Sequence, residues 1–237
     1  KKLKLDEEMV FYGSKMPISI ALESEVIDIK LQSTQYGINI NTLFKAAIKQ
    51  PIIYDIFSEY LNRYRLKDPA FFMALIQDTI DKDDVGQFSD ESEIILYNST
   101  FKNGAIVNRA HLDEIINYYF LSTSDAAIYS IDFNSMFTFN TTFIDLNFAS
   151  KDVVDFIFYD ADENSRATLY AIDEPYEKMS DLPFDDFYRK KLSKPVMGQG
   201  IGIKSSSINL TAKINSSTFS FQYTIGKNPK VSNIEMY

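Results

Sequence analysis

The densest group of chemically active side chains in this sequence is an acidic run between residues 78 and 93. Seven carboxylates occur within these sixteen residues: Asp78, Asp81, Asp83, Asp84, Asp90, Glu91 and Glu93. Only Lys82 offsets their charge, so mutual repulsion is costly unless solvent or a cation neutralises it. Ca²⁺ prefers six to eight oxygen ligands, and an Asp-x-Asp pair followed about ten residues later by Glu supplies them. We therefore expect a structural Ca²⁺ site formed by Asp81, Asp83, Glu91 and Glu93.

The acidic run is not an EF-hand. Val85 stands at the fifth loop position and Ser92 at the twelfth, although Gly86 falls at the sixth. A solvated acidic loop that follows a helix is the alternative to a metal site, and the residues alone leave both open.

Candidate catalytic groups are few. The chain has no Cys and one His, which excludes disulfides, zinc clusters, cysteine nucleophiles and any site that needs two histidines. His111 lies on a predicted helix, and no Gly-x-Ser-x-Gly elbow supports a Ser-His-Asp arrangement, although the residues do not exclude one. The segment 198–202 resembles a dinucleotide loop only superficially, since it runs into β alternation, and we predict a glycine-rich turn. We expect a protein that is not an enzyme.

Length and composition bound the class of protein. The chain has 237 residues, of which 45% are hydrophobic and 24% charged, as in ordinary globular proteins. No stretch approaches eighteen apolar residues, so we expect no bilayer-spanning helix within this sequence. The net charge of −9 argues against a nucleic-acid-binding surface, which is normally basic.

Alternation of apolar and polar residues predicts strands at both ends of the chain. Residues 208–214 and 219–225 alternate on either side of Ser216-Ser217, which indicates an antiparallel hairpin with one apolar face. Residues 226–229 predict a second turn, and 231–237 an edge strand. Residues 27–31 alternate in the same way. We expect the two ends to form one sheet.

Helical spacing replaces this alternation between the two ends. Helices are predicted over 52–64 after Pro51, after Asp68-Pro69, from Asn108 to Tyr119, after Ser150, after Asp162 and near 182–192. The sequence therefore predicts an α+β fold in which a large α-helical insertion interrupts an antiparallel β-sheet. The predicted domains are a discontinuous sheet domain, 1–46 plus 195–237, and a helical insertion domain, 47–194.

Four segments in this order resemble those of the general secretion pathway protein K family, the large minor pseudopilins of bacterial type II secretion systems. They are Tyr36-Gly-Ile-Asn-Ile-Asn-Thr-Leu-Phe44, Ala74-Leu-Ile-Gln-Asp-Thr-Ile-Asp-Lys-Asp83, Leu112-Asp-Glu-Ile-Ile116 and Ile144-Asp-Leu-Asn-Phe-Ala-Ser150. The resemblance extends over residues 16 to 225. Thr79 stands at the family's usual Trp, Ser89-Asp90 replaces Gly-Gly, and Asp145 replaces Asn. These departures bear on the calcium ligands more than on the fold.

The resemblance implies a non-enzymatic assembly protein with a pilin-like sheet. Members of the family are anchored in the inner membrane by an N-terminal hydrophobic helix, which is absent from this chain, and their folded part faces the periplasm. They cap the pseudopilus tip together with the minor pseudopilins I and J. The resemblance also favours the Ca²⁺ site. We accordingly expect a hydrophobic segment and a prepilin-type leader upstream of Lys1.

Other functions fit the same residues. One is a minor pilin of a type IV pilus or DNA-uptake system, which shares the anchor and the sheet. A second is an exported hydrolase or carbohydrate-binding protein with a structural calcium, and a third is a cytosolic binding domain. The residues encoded upstream of Lys1 distinguish the last from the others.

Overall fold

The computed structural model describes residues 7–16, 18–22, 25–81, 86, 90–192, 194–204, 207–214, 217–224 and 231–236. The strands in these ranges are β1 (Ile18–Leu22), β2 (Glu25–Ser33), β3 (Ile38–Asn39), β4 (Phe137–Thr138), β5 (Phe143–Asp145), β6 (Gly200–Gly202), β7 (Ser207–Ile214), β8 (Ser217–Thr224) and β9 (Val231–Met236). Five of these described strands form one antiparallel sheet in the order β1-β2-β7-β8-β9.

Strands from opposite ends of the sequence pair in this sheet. Ile27 of β2 lies opposite Ile214 of β7, and Leu31 lies opposite Leu210. Strand β9 pairs with β8 at the edge, as the alternation predicts. The pairing of the two ends in one antiparallel sheet is therefore confirmed. The predicted turn at 226–229 lies outside the described residues, as does Ser216 of the other predicted turn.

Helices occupy most of the chain between β2 and β7. The described helices are α1 (Glu7–Lys15), α2 (Ile40–Ala47), α3 (Ile52–Arg63), α4 (Pro69–Asp81), α5 (Ile94–Tyr97), α6 (Arg109–Thr123), α7 (Phe133–Met136), α8 (Lys151–Ile157), α9 (Glu163–Tyr170) and α10 (Asp186–Leu192). The side chains of Asn108, Ser150 and Asp162 accept hydrogen bonds from the first turns of α6, α8 and α9. Because such caps satisfy otherwise unpaired backbone donors, these three predicted helix starts are correct. The helix predicted near 182–192 begins only at Asp186.

The sequence does not predict two short parallel pairings, β3 with β4 and β5 with β6. Each strand has two or three residues, too few for a recognisable alternation. The glycine-rich segment is a turn only at its start, where Gly198 has φ +81°, and Gly200–Gly202 continue as β6. A Cβ atom on Gly198 would lie 2.7 Å from Cγ2 of Thr42, so this turn packs closely against α2.

Buried apolar side chains form two clusters. The larger extends along the sequence from Ile38 to Ile203 and includes side chains of α2, α3, α4, α6 and α8. The smaller contains Val10, Leu31 and Ile208, and joins α1 to the sheet. Residues 38–44, which the prediction groups with the sheet, thus pack with the helices. The division into domains at 46 and 195 stays a prediction. No helix among the described residues is long and apolar enough to cross a membrane.

Candidate metal centre

The C-terminal half of α4 carries two carboxylates of the acidic run, Asp78 and Asp81, about one turn apart. Asp78 is fully buried, and its Oδ2 accepts a hydrogen bond from the hydroxyl of Ser92. The neighbouring Gln77 accepts a hydrogen bond of 2.7 Å from the hydroxyl of Tyr54. Burial, together with the negative charge of Asp78, raises the pKa of Tyr54. The end of α4 is therefore an acidic environment inside the fold.

A third carboxylate, that of Glu93, returns to the protein interior after the acidic loop. Glu93 precedes α5 and is fully buried. Its Oε2 accepts a hydrogen bond of 2.9 Å from Nδ2 of Asn103. Asp78 and Glu93 lie close to each other because Ser92, which bonds Asp78, is the residue before Glu93. Burying two carboxylates is costly unless hydrogen bonds or cations compensate their charge.

The segment 101–106 is fixed against this region by backbone and side-chain contacts. The amide of Gly104 donates to the carbonyl of Thr79 in α4 over 2.6 Å. Two residues later, the amide of Ile106 donates to Oδ1 of Asn41 over 2.8 Å, and Nδ2 of Asn41 donates to the carbonyl of Ile106 over 2.9 Å. Because these bonds immobilise the loop, they also hold Asn103 beside Glu93.

The structure separates the predicted calcium ligands by their surroundings. Glu93 is buried, Asp81 is half-buried at the end of α4, and Glu91 is exposed. Asp83 lies outside the described residues. Within the described ranges, whose gaps include 82–85 and 87–89, no group of three or more acidic, His or Cys side chains is arranged as a metal site.

Two polar residues of this region were not nominated from the sequence. Asp78 belongs to the acidic run. It lies three residues after Leu75, which is on the apolar side of α4, and this helical spacing is the feature of the sequence that indicates a buried position. Nothing in the sequence marks Asn103 as part of a site except that it precedes Gly104, a glycine that is buried in the structure. Together with Glu93, these residues supply hard oxygen donors, which suit Ca²⁺.

Another buried carboxylate, Asp125, joins the start of α4 to the end of α6. Its Oδ2 accepts hydrogen bonds from the amide of Lys67 at 2.7 Å and the hydroxyl of Tyr119 at 3.0 Å, and its Oδ1 from the amide of Ala127 at 3.2 Å. Burial opposes ionisation, but these donors outweigh it and lower the pKa of Asp125. Because both oxygens of this carboxylate accept structural hydrogen bonds, a catalytic role is disfavoured.

The segment 144–150 also has a structural explanation. Oδ1 of Asn147 accepts from the amide of Tyr176 at 2.8 Å, and its Nδ2 donates to the carbonyls of Tyr176 and Ile203. Asp145 is fully buried and accepts from the amide of Asn147 at 3.0 Å. The polar residues of this motif therefore join distant parts of the chain.

The candidate catalytic residue His111 lies in the first turns of α6, half-buried against Phe101, with ring centroids 5.1 Å apart. Burial lowers the pKa of His111, although Glu114 and the carbonyl of Lys102 oppose the shift. The nearby Asp113 forms an ion pair with Arg109 at 2.8 Å. His111 thus packs as a side chain of the helix surface.

Comparison with known proteins gives an informative likeness of structure. No protein-family model and no curated protein sequence matches this chain. Its structure is similar to a chain in the crystal structure of the GspK-GspI-GspJ complex from the type 2 secretion system of enterotoxigenic Escherichia coli. The TM-score is 0.61 with 15% sequence identity, over 94% of this chain and 83% of that chain. The chain therefore has a GspK-like fold of mixed helix and sheet, which confirms the resemblance at the level of the fold.

Proposed function

We propose that this chain is the periplasmic part of a minor pseudopilin at the tip of a type II secretion pseudopilus. The observation that carries the proposal is the likeness to a chain of the GspK-GspI-GspJ complex over 94% of the sequence. The order of the sequence motifs supports it independently. The function is structural: the protein assembles with other subunits and catalyses no reaction.

The position of α1 supports a pilin-like arrangement. Val10 of α1 packs with Leu31 of β2 and Ile208 of β7. A Cβ atom on Gly13 would lie 2.7 Å from Cδ1 of Leu31, so the helix lies very close to the sheet. In the proposed protein, a hydrophobic helix that anchors the subunit in the inner membrane precedes Lys1.

A surface beside α1 suits the smaller subunits. The exposed apolar side chains here are Tyr12 of α1, Met16 directly after α1, and Ile18 and Ile20 of β1. We call these four residues the edge surface. Exposed apolar groups that lie together mark interaction sites more often than chance exposure does. In the proposed complex, the minor pseudopilins I and J bind at this side of the sheet.

The proposed Ca²⁺ is structural. Asp81, Asp83, Glu93 and the amide oxygen of Asn103 would hold it, with Asp78 contributing negative charge from the interior. The exposed position of Glu91 favours Glu93 as the closing carboxylate. The ion would neutralise the carboxylates and fix the loop after α4, and it supplies no catalytic chemistry. The support is the burial of Asp78 and Glu93 beside Asn103.

Export by the intact organism tests the proposed function. Deletion of the gene should abolish secretion of the system's cargo, and the full-length protein should restore it. A version without its N-terminal hydrophobic helix should be soluble and inactive in secretion. If the deletion strain secretes normally but fails to take up DNA or to form pili, the chain belongs to a related machine instead.

A further inference from the structure

The helical part of the protein has a groove. The residues that line it are far in the sequence from those of the edge surface. The groove has a volume of about 690 Å³ and lies between the start of α3, the end of α8 and the segment that follows α10. This volume is in the range of ligand-binding clefts. Its apolar lining residues are Ile52, Ile53, Ile56, Ile157, Tyr159 and Met197.

Two of the apolar side chains that line this α3–α8 groove are exposed, whereas Ile53, Ile56, Ile157 and Met197 are buried. Ile52, the first residue of α3, is 50% exposed, and Tyr159 is 39% exposed. Covering such side chains is favourable by roughly 25 cal/mol per Å² of apolar area, so their exposure side by side indicates a docking surface.

The charge of the groove is opposite to that of the whole chain. Of the described residues that line it, Lys190 and Lys194 are basic and none is acidic, whereas the net charge of the chain is −9. Two further exposed lysines, Lys45 and Lys49, lie at the end of α2, against which the turn at Gly198 packs. An apolar groove with a basic rim is complementary to an apolar surface that carries acidic residues.

The backbone of the groove limits the conformation of its ligand. Its walls are the start of α3, the end of α8 and the turn in which Val196 and Gln199 bond each other. At the start of α3, the amides of Ile53 and Tyr54 donate to the carbonyls of Gln50 and Pro51. Among these described walls there is no open strand edge to pair with an extended peptide. A ligand that satisfies its own backbone hydrogen bonds therefore fits best, and this is an α-helix.

We propose that the α3–α8 groove binds an amphipathic helix of a partner protein, with acidic residues flanking the apolar face of that helix. The apolar residues of the partner cover Ile52 and Tyr159, and its carboxylates approach Lys194 and Lys190. This interaction does not depend on the pseudopilin role, because it uses a surface separate from the edge surface. Its failure would leave the proposed function intact, and the converse also holds.

A designed peptide provides the probe. The peptide is a fluorescent helix with Leu at i, i+3, i+4 and i+7 and Glu beside them, and a second peptide carries Lys at the Glu positions. Fluorescence anisotropy measures binding to the purified chain. We expect saturable binding of the acidic peptide, weakened by added salt, and little binding of the basic one.

Matched variants locate the binding site. Lys194→Glu should weaken binding by about fivefold or more, because it places like charges together. Ile52→Ser should weaken it by about tenfold, because it removes apolar contact area. The controls are Lys204→Glu and Val107→Ser, which change exposed residues that do not line the groove. Circular dichroism melts verify that all four variants fold.

Three outcomes would overturn the proposal: no saturable binding of the acidic peptide, equal binding of the two peptides, or equal effects of groove and control variants. The oligomeric state of the chain is measured in the same samples. Self-association that Ile52→Ser abolishes would assign the groove to a second copy of this chain, which also overturns the proposal.

Discussion

Asn41 and Ile106, sixty-five positions apart, exchange two hydrogen bonds: the amide of Ile106 donates to Oδ1 of Asn41 and Nδ2 of Asn41 donates to the carbonyl of Ile106. Both residues are buried. Asn41 therefore acts as a peptide group would in a sheet, joining α2 to the loop that carries Asn103. The exchange gives a physical reason for the asparagine in the segment 36–44.

The first prediction concerns this exchange. Asn41→Ala leaves a buried amide and a buried carbonyl without partners, each of which costs about 1–3 kcal/mol. We expect the free energy of unfolding in urea to fall by about 2–4 kcal/mol. Asn62→Ala, an exposed position in α3, is the control and should change it by less than about 0.5 kcal/mol. Equal effects would show that the exchange contributes nothing.

The second prediction concerns Asp125. Asp125→Ala removes a charged acceptor of three hydrogen bonds, and we expect a loss of about 2–4 kcal/mol at neutral pH. Because the pKa of Asp125 is lower in the folded state, its stabilisation is present above the unfolded pKa and is lost as the pH falls through the folded pKa. The loss caused by the variant should thus shrink in acid. Urea unfolding at a series of pH values measures this loss. Asp113→Ala, a substitution at the surface, is the control.

The third prediction concerns His111, the single histidine of the chain. Its pKa is lowered by burial, so the folded protein favours the neutral ring. The corresponding stabilisation is present above the unfolded pKa of about 6.5 and is lost as the pH falls towards the folded pKa. NMR titration of the single imidazole should give a midpoint below about 6.5. His111→Gln should remove this part of the pH dependence; a midpoint at or above the unfolded value would contradict the burial.

The fold was largely predictable because the patterns that specify its main elements lie within short stretches of sequence. Alternation in 208–214 and 27–31 specifies a sheet with one apolar face, and side chains such as Asn108 and Ser150 specify helix starts, because both depend on neighbouring residues. By contrast, β3 and β4 pair over two residues each, and their partners Ile38 and Phe137 lie far apart in the sequence. No local pattern carries that information.

The candidate site was predictable only in part. The acidic run itself is visible in the sequence. The structure shows that Glu93 is buried, and its role as a metal ligand stays a prediction. The burial of Asp78 and the contact between Asn103 and Glu93 depend on how residues 92–93 and 101–106 pack against the end of α4. Contacts between residues so far apart in the sequence produce no local spacing pattern from which they could be predicted.

The fourth prediction concerns the edge surface and rests on the proposed function. Ile20→Glu and Tyr12→Glu place charges where the smaller pseudopilins are expected to cover apolar side chains. We expect co-purification with those subunits to fall by about tenfold or more. Val107→Glu, at an exposed apolar position on the helical part of the chain, is the control and should leave co-purification unchanged. Co-purification that is unchanged by both Ile20→Glu and Tyr12→Glu would exclude the edge surface as the interface.

The fifth prediction concerns calcium. An ion that binds only the folded state stabilises it by about 2.7 kcal/mol at a concentration of 100 times Kd. For a chain of this size we expect the melting midpoint to rise by about 5–10 °C with excess Ca²⁺ relative to chelator. Asp83→Asn and Glu93→Gln should each reduce this difference, because each removes an anionic ligand. Circular dichroism melts measure the midpoints.

Glu91→Gln is the matched control for the calcium prediction, since Glu91 lies two residues from Glu93 but is exposed. We expect this variant to keep the full Ca²⁺-dependent shift. The comparison is made within each variant, with and without the ion, so any loss of intrinsic stability on changing a buried carboxylate cancels. Tb³⁺ luminescence sensitised by the tyrosines Tyr97 and Tyr118 provides a second readout that is independent of stability. Identical midpoints with Ca²⁺ and chelator, together with no Tb³⁺ signal, would leave a solvated acidic loop beside two buried carboxylates that are compensated by protein hydrogen bonds alone.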